Sequence, residues 1–213
     1  MEVVVDEIGE KYIVQIVTDN GANFKKAGEM LTETRDHLFW TPCAAHCVDL
    51  MMKDIGDIAS VKRTVAKAQQ ITRFIYNHHW VHALMKKFTE GEILRPGITR
   101  FATNFIALKS IQQRKMGLKA MFTSSDWMTS RFSSSADGKT VEKFVLSSRF
   151  WESVAEIIVA VEPLYVVLRH VDMKKRPQMG YVYQLIRTAK EEIRKALPDT
   201  RSDPFIRIID PYH

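Results

Sequence analysis

The stretch Tyr12-Ile13-Val14-Gln15-Ile16-Val17, followed at once by Thr18-Asp19-Asn20-Gly21, decides how the chain is read. Its first part is rich in β-branched residues and broken only by Gln15. A short apolar run of this kind reads as a strand buried on both faces, as in a parallel or mixed sheet. Thr, Asp, Asn and Gly favour caps and turns, so the strand ends there. Before it, residues 2–10 read as a helix. After it, helical spacing resumes through Ala22, Ala27, Met30 and Leu31, and a second short apolar piece, Leu38-Phe39-Trp40, precedes Pro42. Proline suits the first turn of a helix, so residues 1–57 read β-α-β-α.

Beyond residue 57 the pattern is almost wholly helical, and the fold class is therefore α/β passing to mostly α. Val61, Val65, Ala68, Ile71, Ile75 and Tyr76 recur three and four apart as one apolar stripe. Pro96-Gly97 breaks the pattern, and Thr99 or Thr103 is placed to cap a following helix carrying Phe101, Phe105, Leu108 and Ile111. Residues 124–139 hold several Ser and a Gly and read as an irregular excursion. Residues 150–171 form a long apolar helix in which Pro163 predicts a kink. The helix over 179–197 stops at Pro198, with its acids and bases spaced as on a solvated face.

The 213 residues carry 31 Lys+Arg against 25 Asp+Glu, a formal charge of +6, and 46% of them are hydrophobic, which excludes a disordered chain. No run approaches a membrane span. The opening residues are acidic and lack the basic start of a signal peptide. Two cysteines four apart, Cys43 and Cys47, are too few to staple such a fold and point to a reducing compartment. The charge is uneven. Residues 1–52 hold 4 bases and 9 acids, residues 53–119 hold 13 and 4, and residues 120–213 hold 14 and 12. The middle excess includes Lys62, Arg63, Lys67, Arg73, Lys86, Lys87, Lys109, Arg114 and Lys115, which either attract a polyanion or solvate helix faces.

Three further groups of residues bear on chemistry. Asp19 stands at the carboxyl end of a strand, where open α/β sheets place ligands. It can hold Mg²⁺ or Mn²⁺ if other carboxylates join it, or it can simply cap the next helix. Cys43, His46 and Cys47 share one face of a helix and either pack under the sheet or begin a zinc site, which His78, His79 or His82 would have to complete. Cysteine hydrolysis lacks an orienting partner for the thiol, and no Gly-rich nucleotide loop is present.

Taken together, Val17-Thr18-Asp19-Asn20-Gly21-Ala22-Asn23, Trp40-Thr41-Pro42-Cys43-Ala44-Ala45-His46-Cys47-Val48-Asp49-Leu50 and Thr99-Arg100-Phe101-Ala102-Thr103 resemble the motifs of hAT-type transposases. The likeness is closest to the plant proteins derived from them, including those with a domain of unknown function before the hAT core. It implies a partial ribonuclease-H-like core in residues 1–57 and a helical insertion, incomplete at its C-terminus, in residues 58–213. It also implies a metal-binding role for Asp19 and an organising role beside the active site for Cys43, His46 and Arg100, with Phe101 replacing the usual Trp. The family's other aspartate and its glutamate have no match here. The expectation is a truncated, catalytically inert derivative that needs no cofactor, located in the nucleus, with residual DNA binding. The alternatives are a fragment of an active two-metal transposase, or an interaction module in which the 150–171 helix packs on a second copy or on full-length transposase.

Overall fold

The computed structural model describes residues 1–95, 101–172 and 179–212. Its first element, α1 (Glu2–Ile8), leads through a 3-10 turn to β1 (Gln15–Thr18). Helix α2 (Ala22–Thr34) then crosses to β2 (Phe39–Pro42). The strands are parallel, with Gln15 opposite Phe39 and Thr18 opposite Pro42. Parallel strands cannot be joined by a tight hairpin, so the crossover helix is a geometric necessity.

One face of this two-stranded sheet is covered. Ile13 and Ile16 pack on a small cluster of Val5, Leu31 and Leu38. Trp40 lies beside Ile16 on the same face and meets α2 at Gly28. Its indole nitrogen donates to Thr18 Oγ1 at 2.9 Å. On the other face Gln15 donates to Thr41 Oγ1, while Val17 and Phe39 remain 48% and 60% exposed. The expectation of a strand buried on both faces is therefore corrected. Two strands with helices on one side leave the second side open. Pro42 is corrected too: it closes β2, where a missing N–H is tolerated, and Cys43 donates its own N–H to the Thr18 carbonyl at 2.7 Å.

From Cys43 onward the described chain is helical. In order come α3 (Ala44–Asp57), α4 (Ala59–Asn77), α5 (His79–Thr89), α6 (Phe101–Gln113) and α7 (Lys115–Phe122). They are followed by α8 (Ser125–Met128), α9 (Ala136–Leu146), α10 (Ser148–Val171), α11 (Val182–Ala196) and α12 (Asp199–Ile209). One continuous apolar cluster runs from Val48 in α3 to Ile209 in α12. Its axis is α10, packed against α3, α4, α6, α9 and α11. Apart from the half-buried Tyr76, the predicted α4 stripe is buried, as are Phe105, Leu108 and Ile111 of α6.

Other expectations change. Helix α10 buries Phe150, Trp151, Val154, Ile157, Val161, Leu164 and Val167 within its own chain, so this stripe is not free to dock on a second copy. As expected of one long helix, α10 continues through Pro163. The roughly 3 kcal/mol lost to an internal proline is outweighed by burial worth roughly 1.5–3 kcal/mol for each large apolar side chain. The expected irregular excursion over residues 124–139 holds in part: residues 129–135 run as turns. Ser124 and Ser135, however, cap α8 and α9 by accepting the N–H groups of Trp127 and Gly138, so these two serines are helix starters. Thr103 lies inside α6 rather than at its start, and Pro96-Gly97 and Thr99 fall outside the described residues. No described helix is long and apolar enough to cross a membrane.

The seam between α2 and β2 is tight. A Cβ placed on Gly28 would stand 2.2 Å from Trp40 Cγ, and the indole is held at its far edge by Thr18. Overpacking of this kind costs about 1–3 kcal/mol, against the ~1 kcal/mol that Ala gains over Gly in a helix. Gly28→Ala is expected to lower the urea midpoint with an unchanged slope, and Gly28→Val to lower it further. A stabilised Gly28→Ala protein would contradict this account.

Candidate nucleic-acid interface

The parallel register brings the carboxyl ends of β1 and β2 side by side, so Asp19 and Cys43 follow directly from the paired residues Thr18 and Pro42. Asp19 is exposed, and its Oδ1 accepts the Gly21 N–H at 3.1 Å. That bond makes the turn into α2. The acidic residues upstream serve elsewhere: Glu2, Asp6 and Glu10 surround Arg35 at 3.9, 3.7 and 3.4 Å.

Cys43 is the N-cap position of α3, and His46 and Cys47 lie in its first turn, all partly buried. Burial, and then the neighbouring Cys43, push the Cys47 thiol above its ordinary range, which keeps it protonated rather than a thiolate ligand. His78 is bonded to the Phe74 carbonyl at 2.7 Å and His82 to Glu92 at 2.8 Å. Among the described residues no group of three or more His, Cys, Asp or Glu is placed to hold a metal ion. The zinc set of Cys43, His46 and Cys47 completed by a distant histidine is therefore not assembled in them. A divalent cation of the Mg²⁺ type asks for about six oxygens, and Asp19 supplies at most two of these. Arg100, and the basic run Lys174-Lys175-Arg176, lie outside the described residues.

The nine cations singled out by charge divide by partner. Lys86 meets Glu92 at 2.5 Å, Lys87 meets Asp126 at 2.8 Å and Lys109 is bonded to Glu162. Lys62 stands 3.7 Å from Asp57. Arg114 is turned inward, donating to the Ser110 carbonyl and hydroxyl. Lys115 is half-buried over the Trp151 ring. Arg63, Lys67 and Arg73 differ: all three are exposed on α4, and none has a carboxylate within ion-pair distance among the described residues.

Two clefts flank that helix. One of about 420 Å³ is lined by Ser60, Arg63, Lys67, Ser147, Arg149 and Ser153. The other, of about 340 Å³, is lined by Gln69, Gln70, Arg73, Asn77, His78 and Asp137. Helix α4 thus presents cations and amides, the side chains that contact phosphates and sugars. Arg149 escapes a count of charge by segment, because residues 120–213 are nearly neutral overall. Its signal is local: a cation sits in the first turn of α10 and no acid shares that turn, the reverse of what the helix dipole favours.

Residues 1–71 match a family described as a domain of unknown function, DUF659. That family is associated with hAT-type transposase-like plant proteins. The match takes in β1-α2-β2-α3 and most of α4, and so Asp19, Cys43, His46, Arg63 and Lys67. No curated protein and no solved structure matches the chain.

The neutralised cations leave a pH signature. Glu92 is held down to about 2 by hydrogen bonds from His82, Lys86 and Tyr76, and burial followed by the bond to Glu92 pushes Tyr76 up to about 12. A depressed carboxyl stabilises the fold above its ordinary value of 4.5 and loses that contribution as pH falls toward about 2. Glu92→Gln is expected to unfold at lower urea than the parent at pH 6. The gap should close between pH 4.5 and 2, and a constant gap would argue against this cluster.

Proposed function

We propose that this is a hAT-transposase-derived, nucleic-acid-binding protein of the nucleus without strand-transfer activity of its own. In this reading residues 1–57 are a partial ribonuclease-H-like core and residues 58–213 the helical insertion. Asp19 is the remnant of a metal-binding set, and Cys43, His46 and Arg100 match the motif residues that organise it in that family. The DUF659 match and the β-α-β-α order with Asp19 at the sheet's carboxyl end support the descent. Inertness follows from chemistry. Two-metal transfer needs carboxylates clamping both ions, and only Asp19 in these 213 residues matches the expected set.

The observation that carries binding is α4, where Arg63 and Lys67 on one flank and Arg73 on the other stay exposed and without carboxylate partners among the described residues, while Lys86, Lys87 and Lys109 are consumed. Contacts of this type read the backbone and carry little sequence information. Affinity for duplex DNA is expected to fall linearly with salt on logarithmic axes, by about 0.9 per phosphate neutralised. Each of Arg63→Gln, Lys67→Gln and Arg73→Gln should reduce that slope by about 1, and Lys109→Gln should leave it unchanged. Salt-independent or absent binding would refute the binding role. Mn²⁺-dependent cleavage that disappears in Asp19→Ala would refute inertness and restore the reading of an active two-metal fragment.

A further inference from the structure

We propose that the cleft between the N-terminal half of α4 and the start of α10 is a built site for a phosphate group, held by Arg63, Lys67 and Arg149. The nucleic-acid reading supplies the source of that phosphate, a backbone phosphodiester, but the site is argued from its own charge and geometry.

Three cations from two helices line one cleft, and none of its lining residues is acidic. The clefts beside Arg73 and beside Trp80, by contrast, each carry a carboxylate in their lining, Asp137 and Asp126. In the cleft the like charges repel one another, and no ion pair to a carboxylate joins any of the three among the described residues. Arg149 is also the second residue of α10, close to the positive end of a 24-residue helix dipole, and neither α4 nor α10 has an acid in its first turn. An arrangement that opposes both the helix dipole and its neighbouring charges is unfavourable in the empty protein and is offset when an anion enters. Positions that break a local rule in this way are where function is expected.

The remaining lining fits the same ligand. Ser153 Oγ donates to the Arg149 carbonyl at 3.0 Å, and Ser147 Oγ accepts the Phe150 N–H, which together order the first turn of α10. Lys67 Nζ rests 5.4 Å from the Phe144 ring centroid, which restrains its stem without neutralising its charge. Guanidinium groups give phosphate two parallel hydrogen bonds. At about 420 Å³ the cleft exceeds what one phosphate fills, leaving room for the chain on either side of it.

The test compares Arg149→Gln with Arg194→Gln, an equal loss of charge on exposed α11, in the full chain with folding checked by circular dichroism. Two probes are used: a labelled 20-base-pair duplex, and inorganic phosphate followed by nitrogen-15 NMR and thermal melting. Arg149→Gln is expected to weaken duplex binding about tenfold and to abolish phosphate-induced shifts at Ser148 and Arg149. It should melt no lower than the parent without phosphate, because a repulsion has been removed, and gain nothing when phosphate is added. Arg194→Gln should behave as the parent. If duplex binds but the two variants are alike and phosphate moves no cleft resonance, the site is overturned and the binding role survives. If phosphate acts at the cleft while no duplex binds, the site stands as one for a small phosphorylated ligand and the nucleic-acid reading falls.

Discussion

Helix α10 must hide apolar side chains around most of its circumference, and that demand organises the rest of the helical body. A helix this apolar is stable in water only when neighbours cover it on several sides. Helices α3, α4, α6, α9 and α11 do so, and their outward faces are then left for charge. The position of α4 beside the start of α10 is one outcome. The cationic cleft is therefore a product of core packing, not of a loop that happens to be basic, and its walls are anchored by Val61, Val65, Phe150 and Val154 beneath them. Side chains supported from below hold their geometry better than those on mobile connections.

The order of elements was legible because it rests on local periodicity. Tyr12–Val17 and Leu38–Trp40 announced strands, and the spacing from Val61 to Tyr76 announced α4. The degree of burial was not legible: an apolar run says that a strand is buried, but not whether a sheet exists to bury both of its faces. The two strands here leave Val17 and Phe39 in solvent. Ser124 and Ser135 misled for the opposite reason, since the same hydroxyl that competes with a helix interior starts a helix one residue earlier.

The candidate site was legible in its location and not in its membership. Charge density pointed to α4 through the run from Lys62 to Arg73, but a linear count treats all cations alike. Lys87 and Lys109 find acids 39 and 53 residues away, distances at which sequence offers no pairing rule. Arg149 is the complementary case, a single cation in a nearly neutral segment that only the tertiary contact with α4 makes part of a cluster.

The uncovered side of the small sheet shapes behaviour outside the cell as well. Each of its strands keeps one edge without a partner among the described residues, and beside those edges lie Val14, Val17 and Phe39 in water. Free strand edges flanked by hydrocarbon recruit further strands, whereas the cationic helical surface repels its own copies. The colloidal limit of a purified sample is thus set at the sheet, and added salt works against it twice, by screening the repulsion and by strengthening the attraction between apolar surfaces.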